Sequence, residues 1–140
     1  MEEPLTEEVL AELLASDDLR GFLKKPEVGT RTVADYLNAL LEEKNLKRPT
    51  VVRDAGIDNT YGYQIFTGQR KKVGRDYLLR LALAMGLSRV ETNRLLQAGG
   101  VNQLYCKNRR DAIIVFALQN AYSLQKTQET LYNFNEDIIE

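Results

Sequence analysis

Histidine is absent from the chain, which removes the commonest general base and the commonest metal ligand. Cysteine occurs once, at Cys106, so no internal disulfide can form and a reducing compartment is expected. A zinc site built from one thiolate and carboxylates alone would be unusual. No apolar run approaches the roughly 18 residues that crossing a bilayer requires, so no membrane association is expected. The first residues, Met1-Glu2-Glu3-Pro4, are acidic where a secretory signal would be basic and then apolar. Phosphate-binding and nucleophile-elbow patterns of the types G-x-x-x-x-G-K-[ST], G-x-G-x-x-G and G-x-S-x-G are missing. These absences lead to the expectation of a cytoplasmic, non-enzymatic protein without cofactor or metal.

What is present is charge, unevenly placed. The net charge is only −1, but residues 1–43 carry 4 basic and 11 acidic side chains, a balance of −7. Residues 44–75 carry 8 basic and 2 acidic ones, a balance of +6, and residues 76–140 carry 7 of each. The basic block comprises Lys44, Lys47, Arg48, Arg53, Arg70, Lys71, Lys72 and Arg75. Such a block within a neutral chain is either a solvated face or the footprint of a polyanion.

Apolar residues recur at helical spacing nearly throughout, with no run of strict alternation, so the fold class is expected to be all-α. Thr6 can cap a first helix, with Leu5 packing on Leu10 and an apolar stripe of Val9, Leu10, Leu13 and Leu14. A short segment from Asp17 to Lys25 follows and stops at Pro26; residues 26–31 read as a linker. Thr32 then caps a helix with Val33, Tyr36, Leu37, Leu40 and Leu41 inward. Pro49 opens another, which runs through Val51, Val52 and Ala55 to Gly56. Asp58 caps a third, ended by Gly68. Tyr77 to Met85 and a helix opened by the Ser88/Glu91 capping box complete the series, closed by Gly99-Gly100.

The last segment repeats this final hairpin. At a constant offset of 35, residues 75–100 and 110–135 share 7 identities in 26 positions, against roughly two expected from average residue usage. The pairs are Arg75/Arg110, Asp76/Asp111, Ala82/Ala117, Leu83/Leu118, Ser88/Ser123, Thr92/Thr127 and Leu96/Leu131. The pattern implies a duplicated hairpin, and the two copies are expected to stack as a small helical array.

Residues 48–68 hold the most informative pattern. Val51, Val52 and Ala55 give one helix a buried side, and Gly56 permits a steep left-handed turn into the next. Ile57 and Ile65 face the core, which leaves Asn59, Thr60, Tyr63, Gln64 and Thr67 on the opposite face. Asn and Gln can bond adenine edges bidentately, and Thr can touch a thymine methyl. This stretch resembles the helix-turn-helix of lambda-repressor-like regulators, also called Cro/CI or XRE proteins. The likeness extends over residues 33–98 and rests on Arg48, Val51-Val52, Ala55-Gly56-Ile57, Ile65, Gly68 and the run Leu78 to Ser88. It implies a five-helix domain whose recognition helix, residues 58–67, lies in the major groove of duplex DNA. By position it implies that Arg48 contacts a phosphate or base at the groove edge. Arg70, Lys71 and Lys72 would hold phosphates. Gly62 departs from the family, which buries a branched aliphatic there; Tyr36, Tyr61 or Phe66 is expected to fill the space. Val52 stands where a small residue is usual, so the helix pair is expected to be slightly splayed.

The expected organisation is an acidic helical segment and linker (1–31), a helix-turn-helix domain (32–100) and a C-terminal hairpin (101–140). The resemblance implies a transcriptional regulator that binds duplex DNA as a homodimer. Ile113, Ile114, Phe116, Leu131 and Phe134 give the hairpin more apolar surface than one face of a small domain needs, so part of it is expected to form the dimer interface, the alternative being that it only packs on its own repeat. The alternative is an interaction adaptor that keeps the fold without specific DNA binding, using its N-terminal or C-terminal helices for a protein partner. Tyr36, Tyr77 and Tyr132 lie on apolar stripes and are expected in the core. Lys107, Arg109 and Arg110 form a second basic cluster that either extends DNA contact or bridges to the acidic N-terminus. Cys106 is either a redox-sensitive thiolate or a small residue at a helix entry.

Overall fold

The computed structural model describes residues 6–24 and 32–140, and among these every regular element is a helix. No helix among the described residues is long and apolar enough to cross a membrane. The chain divides into two compact units, Met1–Arg31 and Thr32–Glu140. The proposed staple between Leu5 and Leu10, the Thr6 cap and the linker at 26–31 fall outside what is described.

The first unit holds α1 (Thr6–Ala15) and α2 (Leu19–Leu23). Asp18 caps α2 through the Gly21 N–H at 3.0 Å, and Phe22 is buried. Leu10, Leu13 and Leu14, by contrast, are exposed. Three of the four residues of the apolar stripe are thus exposed, and Val9 is half-buried.

The second unit contains α3 (Val33–Glu43), α4 (Arg48–Asp54), α5 (Asn59–Thr67), α6 (Arg75–Met85) and α7 (Arg89–Ala98). It continues through α8 (Arg109–Gln119) and α9 (Leu124–Asn133). Local chemistry sets these bounds. Thr32 accepts from the Asp35 N–H, Ser88 and Glu91 form the expected capping box, and Asn108 and Ser123 cap α8 and α9. α3 packs on α5 and α7, and α4 on α5 and α6, around a core of Leu37, Ile65, Leu78, Leu79, Leu81, Leu95 and Leu96. Burying each such side chain contributes about 1.5–3 kcal/mol. Ile114, Leu131 and Ile139 belong to the same core, so residues 32–100 and 101–140 fold as one body rather than as separate domains.

The duplication extends to side-chain detail. Thr92 and Thr127 are both fully buried and donate to the carbonyls of Ser88 and Ser123, each at 2.8 Å. Leu104 N–H bonds the Asn93 side chain, and Ile139 N–H bonds that of Gln128, 35 residues on in each case. Gly86 and Gly100 turn the chain at positive φ, and Ala121 and Asn135 do so in the second copy.

The arrangement of the copies differs from a stacked array. Arg75 pairs with Asp111 at 2.9 Å, and Arg110 pairs with Asp76 at 3.0 Å. Arg75 also donates to the carbonyls of Asn102 and Gln103, as Arg110 does to those of Asp137 and Ile138. The Tyr105 N–H caps Asp111 and the Glu140 N–H caps Asp76, both at 3.0 Å. α6 packs on α9 while α7 packs on α8. Each of these contacts maps onto its partner when the copies are exchanged. That is the pattern of a local two-fold, as in a symmetric dimer, whereas a translational stack would not return to itself.

Several side chains depart from expectation. Tyr132 is 76% exposed, because α9 buries Thr127 and Leu131 and the next residue lies about 100° further round the helix. Ile114 and Leu131 are core, which removes them from any interface, whereas Phe116 and Phe134 are exposed and Ile113 is half-buried. Leu41 is only half-buried.

Candidate nucleic-acid interface

The site is built on the α4–α5 pair. Pro49 occupies the first turn of α4, where its missing N–H leaves no bond unmade. Gly56, at φ +66, turns the chain, and Asp58 receives the N–H groups of Thr60 and Tyr61 at 3.1 and 3.2 Å. The carboxylate thereby satisfies two of the free donors at the start of α5 and suits the positive end of the helix dipole.

Close packing sets the angle of α5. A Cβ on Gly62 would lie 2.4 and 2.7 Å from the two γ carbons of Val52. Val52 therefore occupies the space that the glycine leaves, and neither Tyr36, Tyr61 nor Phe66 is needed to fill it. Val52 and Gly62 are thus a size exchange across one contact, and the pair is tightly apposed where a splay was expected. At its far end α5 is tied to α3: Asn38 Nδ2 donates to Phe66 O and to Ala34 O, each at 2.8 Å. α3 is held in turn to α7 by Lys44, 3.2 Å from Glu91. Partial burial opposes ionisation of Glu91, but its bond from the Ser88 N–H and the nearby Lys44 outweigh this and hold its pKa below the ordinary 4.5.

This scaffold leaves one face of α5 outward. Asn59, Thr60, Tyr63 and Thr67 are exposed and Gln64 is half-buried, while Gly62, Ile65 and Phe66 face inward. Arg48 lies at the start of α4 with its guanidinium 4.8 Å over the Tyr63 ring. Gly68, at φ +83, folds the chain back so that Arg70 N–H bonds the Gln64 carbonyl at 3.2 Å. Arg70 then stacks 4.6 Å over Tyr61, and its Nε donates to Gln64 Oε1 at 2.9 Å. Lys71 and Lys72 follow, both exposed. Of the nine sequence-derived positions, five lie on the outward side of α5, Arg48 is placed over Tyr63, Arg70 is bonded to Gln64, and Lys71 and Lys72 are exposed in the loop that follows.

No family model, curated protein or solved structure matches the chain.

Two participants escaped the sequence. Tyr61 is the platform for Arg70 and is itself stacked on Tyr77, with centroids 4.7 Å apart. Asn38 fixes the C-terminal end of α5. A signal for the first was available in the Tyr61-x-Tyr63 spacing, since both rings receive an arginine; nothing local marks Asn38, whose partner lies 28 residues away. The second basic cluster lies elsewhere. Arg109 bonds Glu136 at 2.8 Å and Arg110 bonds Asp76 at 3.0 Å, so both have partners within the C-terminal unit. Cys106 is exposed in the turn that leads into α8.

Proposed function

We propose that the protein is a cytoplasmic, sequence-specific duplex-DNA-binding regulator of lambda-repressor-like fold, with residues 58–67 as the recognition helix. The observation that carries this reading is the outward face of α5, where Asn59, Thr60, Tyr63, Gln64 and Thr67 lie together between Arg48 and the Arg70–Lys72 segment. The chemistry suits both tasks of a DNA reader: cations neutralise phosphates, while amides and hydroxyls bond base edges. The helix-turn-helix of this class works as a two-fold dimer on half-sites about one helical turn apart. The reading therefore includes a second copy of the chain, with the exposed Phe116 and Phe134 at the contact.

The test is binding of the full chain to random-sequence duplexes at low and moderate salt, followed by selection. A small set of enriched sequences, retained as salt rises, supports the reading; absence of duplex binding at low salt ends it. A protein-interaction adaptor is the second reading. The exposed Tyr132 favours it, since neither DNA contact nor the dimer contact above uses that side chain.

A further inference from the structure

We infer that Gln64 and Arg70 act as one unit that selects guanine, and that Arg70 reads a base rather than a phosphate. The inference rests on the DNA-binding reading above and names what that site recognises.

The couplet is built into the fold. Gly68 at positive φ brings the loop back over the end of α5, and the Arg70 N–H to Gln64 carbonyl bond fixes the two backbones. The Arg70 guanidinium then lies over the Tyr61 ring, 4.6 Å from its centroid, and Tyr61 is backed by Tyr77. From there its Nε reaches Gln64 Oε1 at 2.9 Å. Arginine has only donors, so the atom it meets on the glutamine must be the oxygen, which fixes the orientation of the amide.

The consequence concerns which base fits. A free glutamine reads adenine by donating to N7 while its oxygen accepts from the N6 amino group. In this couplet the oxygen already serves Arg70. What remains to offer is the Gln64 amide N–H pair and the guanidinium Nη donors, for which no partner exists among the described residues. Donors that carry a positive charge complement guanine, whose major-groove edge presents two acceptors, N7 and O6. The second lone pair of Oε1 leaves adenine sterically admissible. The cation beside it sets adenine at a disadvantage, because the N6 amino group is itself a donor. A phosphate role for Arg70 would instead need a guanidinium free to follow the backbone, and stacking on Tyr61 together with the Gln64 bond restrains it.

The experiment takes the sequence selected by the full chain and replaces each base pair in turn, measuring affinity by fluorescence anisotropy at fixed salt. One position is expected to demand guanine, with adenine binding about 5- to 150-fold more weakly, the equivalent of 1–3 kcal/mol for a bidentate contact. Arg70→Ala, on an exposed loop, is expected to abolish or reverse the guanine-over-adenine ratio at that position alone, since the released glutamine oxygen can then accept from adenine. Arg70→Lys keeps the charge but loses the planar fork and is expected to reduce the ratio as well. Lys71→Ala serves as the comparison and lowers affinity for every sequence alike. Adenine preferred opposite Gln64, or an Arg70→Ala loss spread evenly over all sequences, overturns the inference while leaving the DNA-binding reading intact. Failure to bind any duplex overturns both.

Discussion

Substituting Gly62 tests whether a size exchange holds α4 and α5 together. In isolation Gly62→Ala should stabilise a helix by about 1 kcal/mol, because alanine loses less backbone entropy on folding. Here the new Cβ would meet the two Val52 γ carbons at 2.4 and 2.7 Å and Val52 Cβ at 3.1 Å, where 3.4–4 Å is ordinary contact. Rotating Val52 does not remove the overlap, since Cβ itself stays close and one γ carbon still faces the site. Overpacking of this kind costs about 1–3 kcal/mol and sometimes more, so it exceeds the propensity gain. The expected net effect is a loss of about 1–2 kcal/mol, or roughly 4–8 °C in Tm for a unit of this size. Val52→Ala alone should cost about 2 kcal/mol, from two lost methyls and a small cavity. In the double variant the new methyl enters that cavity, so the two losses should fall short of additivity by at least 1 kcal/mol. Denaturant unfolding of the four proteins measures the coupling. A Gly62→Ala protein more stable than the parent, or additive losses, would refute the packing argument.

Asp111→Ala should destabilise by about 3–5 kcal/mol, because it strands Arg75 and the Tyr105 N–H at a mostly buried site; urea unfolding reads the loss. Ala121→Gly should raise stability by about 1 kcal/mol by relieving a positive φ that the first copy assigns to Gly86, and thermal unfolding checks it. Glu91→Gln should be less stable than the parent at neutral pH. The depressed pKa of Glu91 means that its contribution is present above about pH 4.5 and is lost as pH falls through the lower folded value, so the two Tm curves should converge in acid. Phe116→Asp should shift light scattering from dimer to monomer without unfolding the chain, since Phe116 is exposed.

Much of the helical order was legible because it is written locally. Thr32, Asp58 and Ser88 sit where their side chains cap, and Gly68 sits where a positive φ is required, so spacing alone locates those ends. The duplication was legible for a similar reason, since a constant offset is a property of the string. Its two-fold arrangement was not: identity between Arg75-Asp76 and Arg110-Asp111 is the same whether the copies stack or exchange, and only the crossed pairing decides. The Val52–Gly62 exchange was seen as two separate oddities, because sequence gives each residue's size but not which atoms meet. The outward face of α5 followed from periodicity. Its electrostatic partnering did not, because the Arg70–Gln64 bond depends on how Gly68 returns the loop.

The central claim is that the α5 face reads base edges while the adjoining lysines hold phosphates. Comparing Gln64→Ala with Lys71→Ala across a salt series on selected and random duplexes tests it most directly. The expected result is that Gln64→Ala weakens the selected duplex by about 1–3 kcal/mol and leaves random duplexes unaffected. Lys71→Ala is expected to weaken all duplexes alike and to lower the salt slope by about one. Both variants binding every duplex as tightly as the parent would contradict the account.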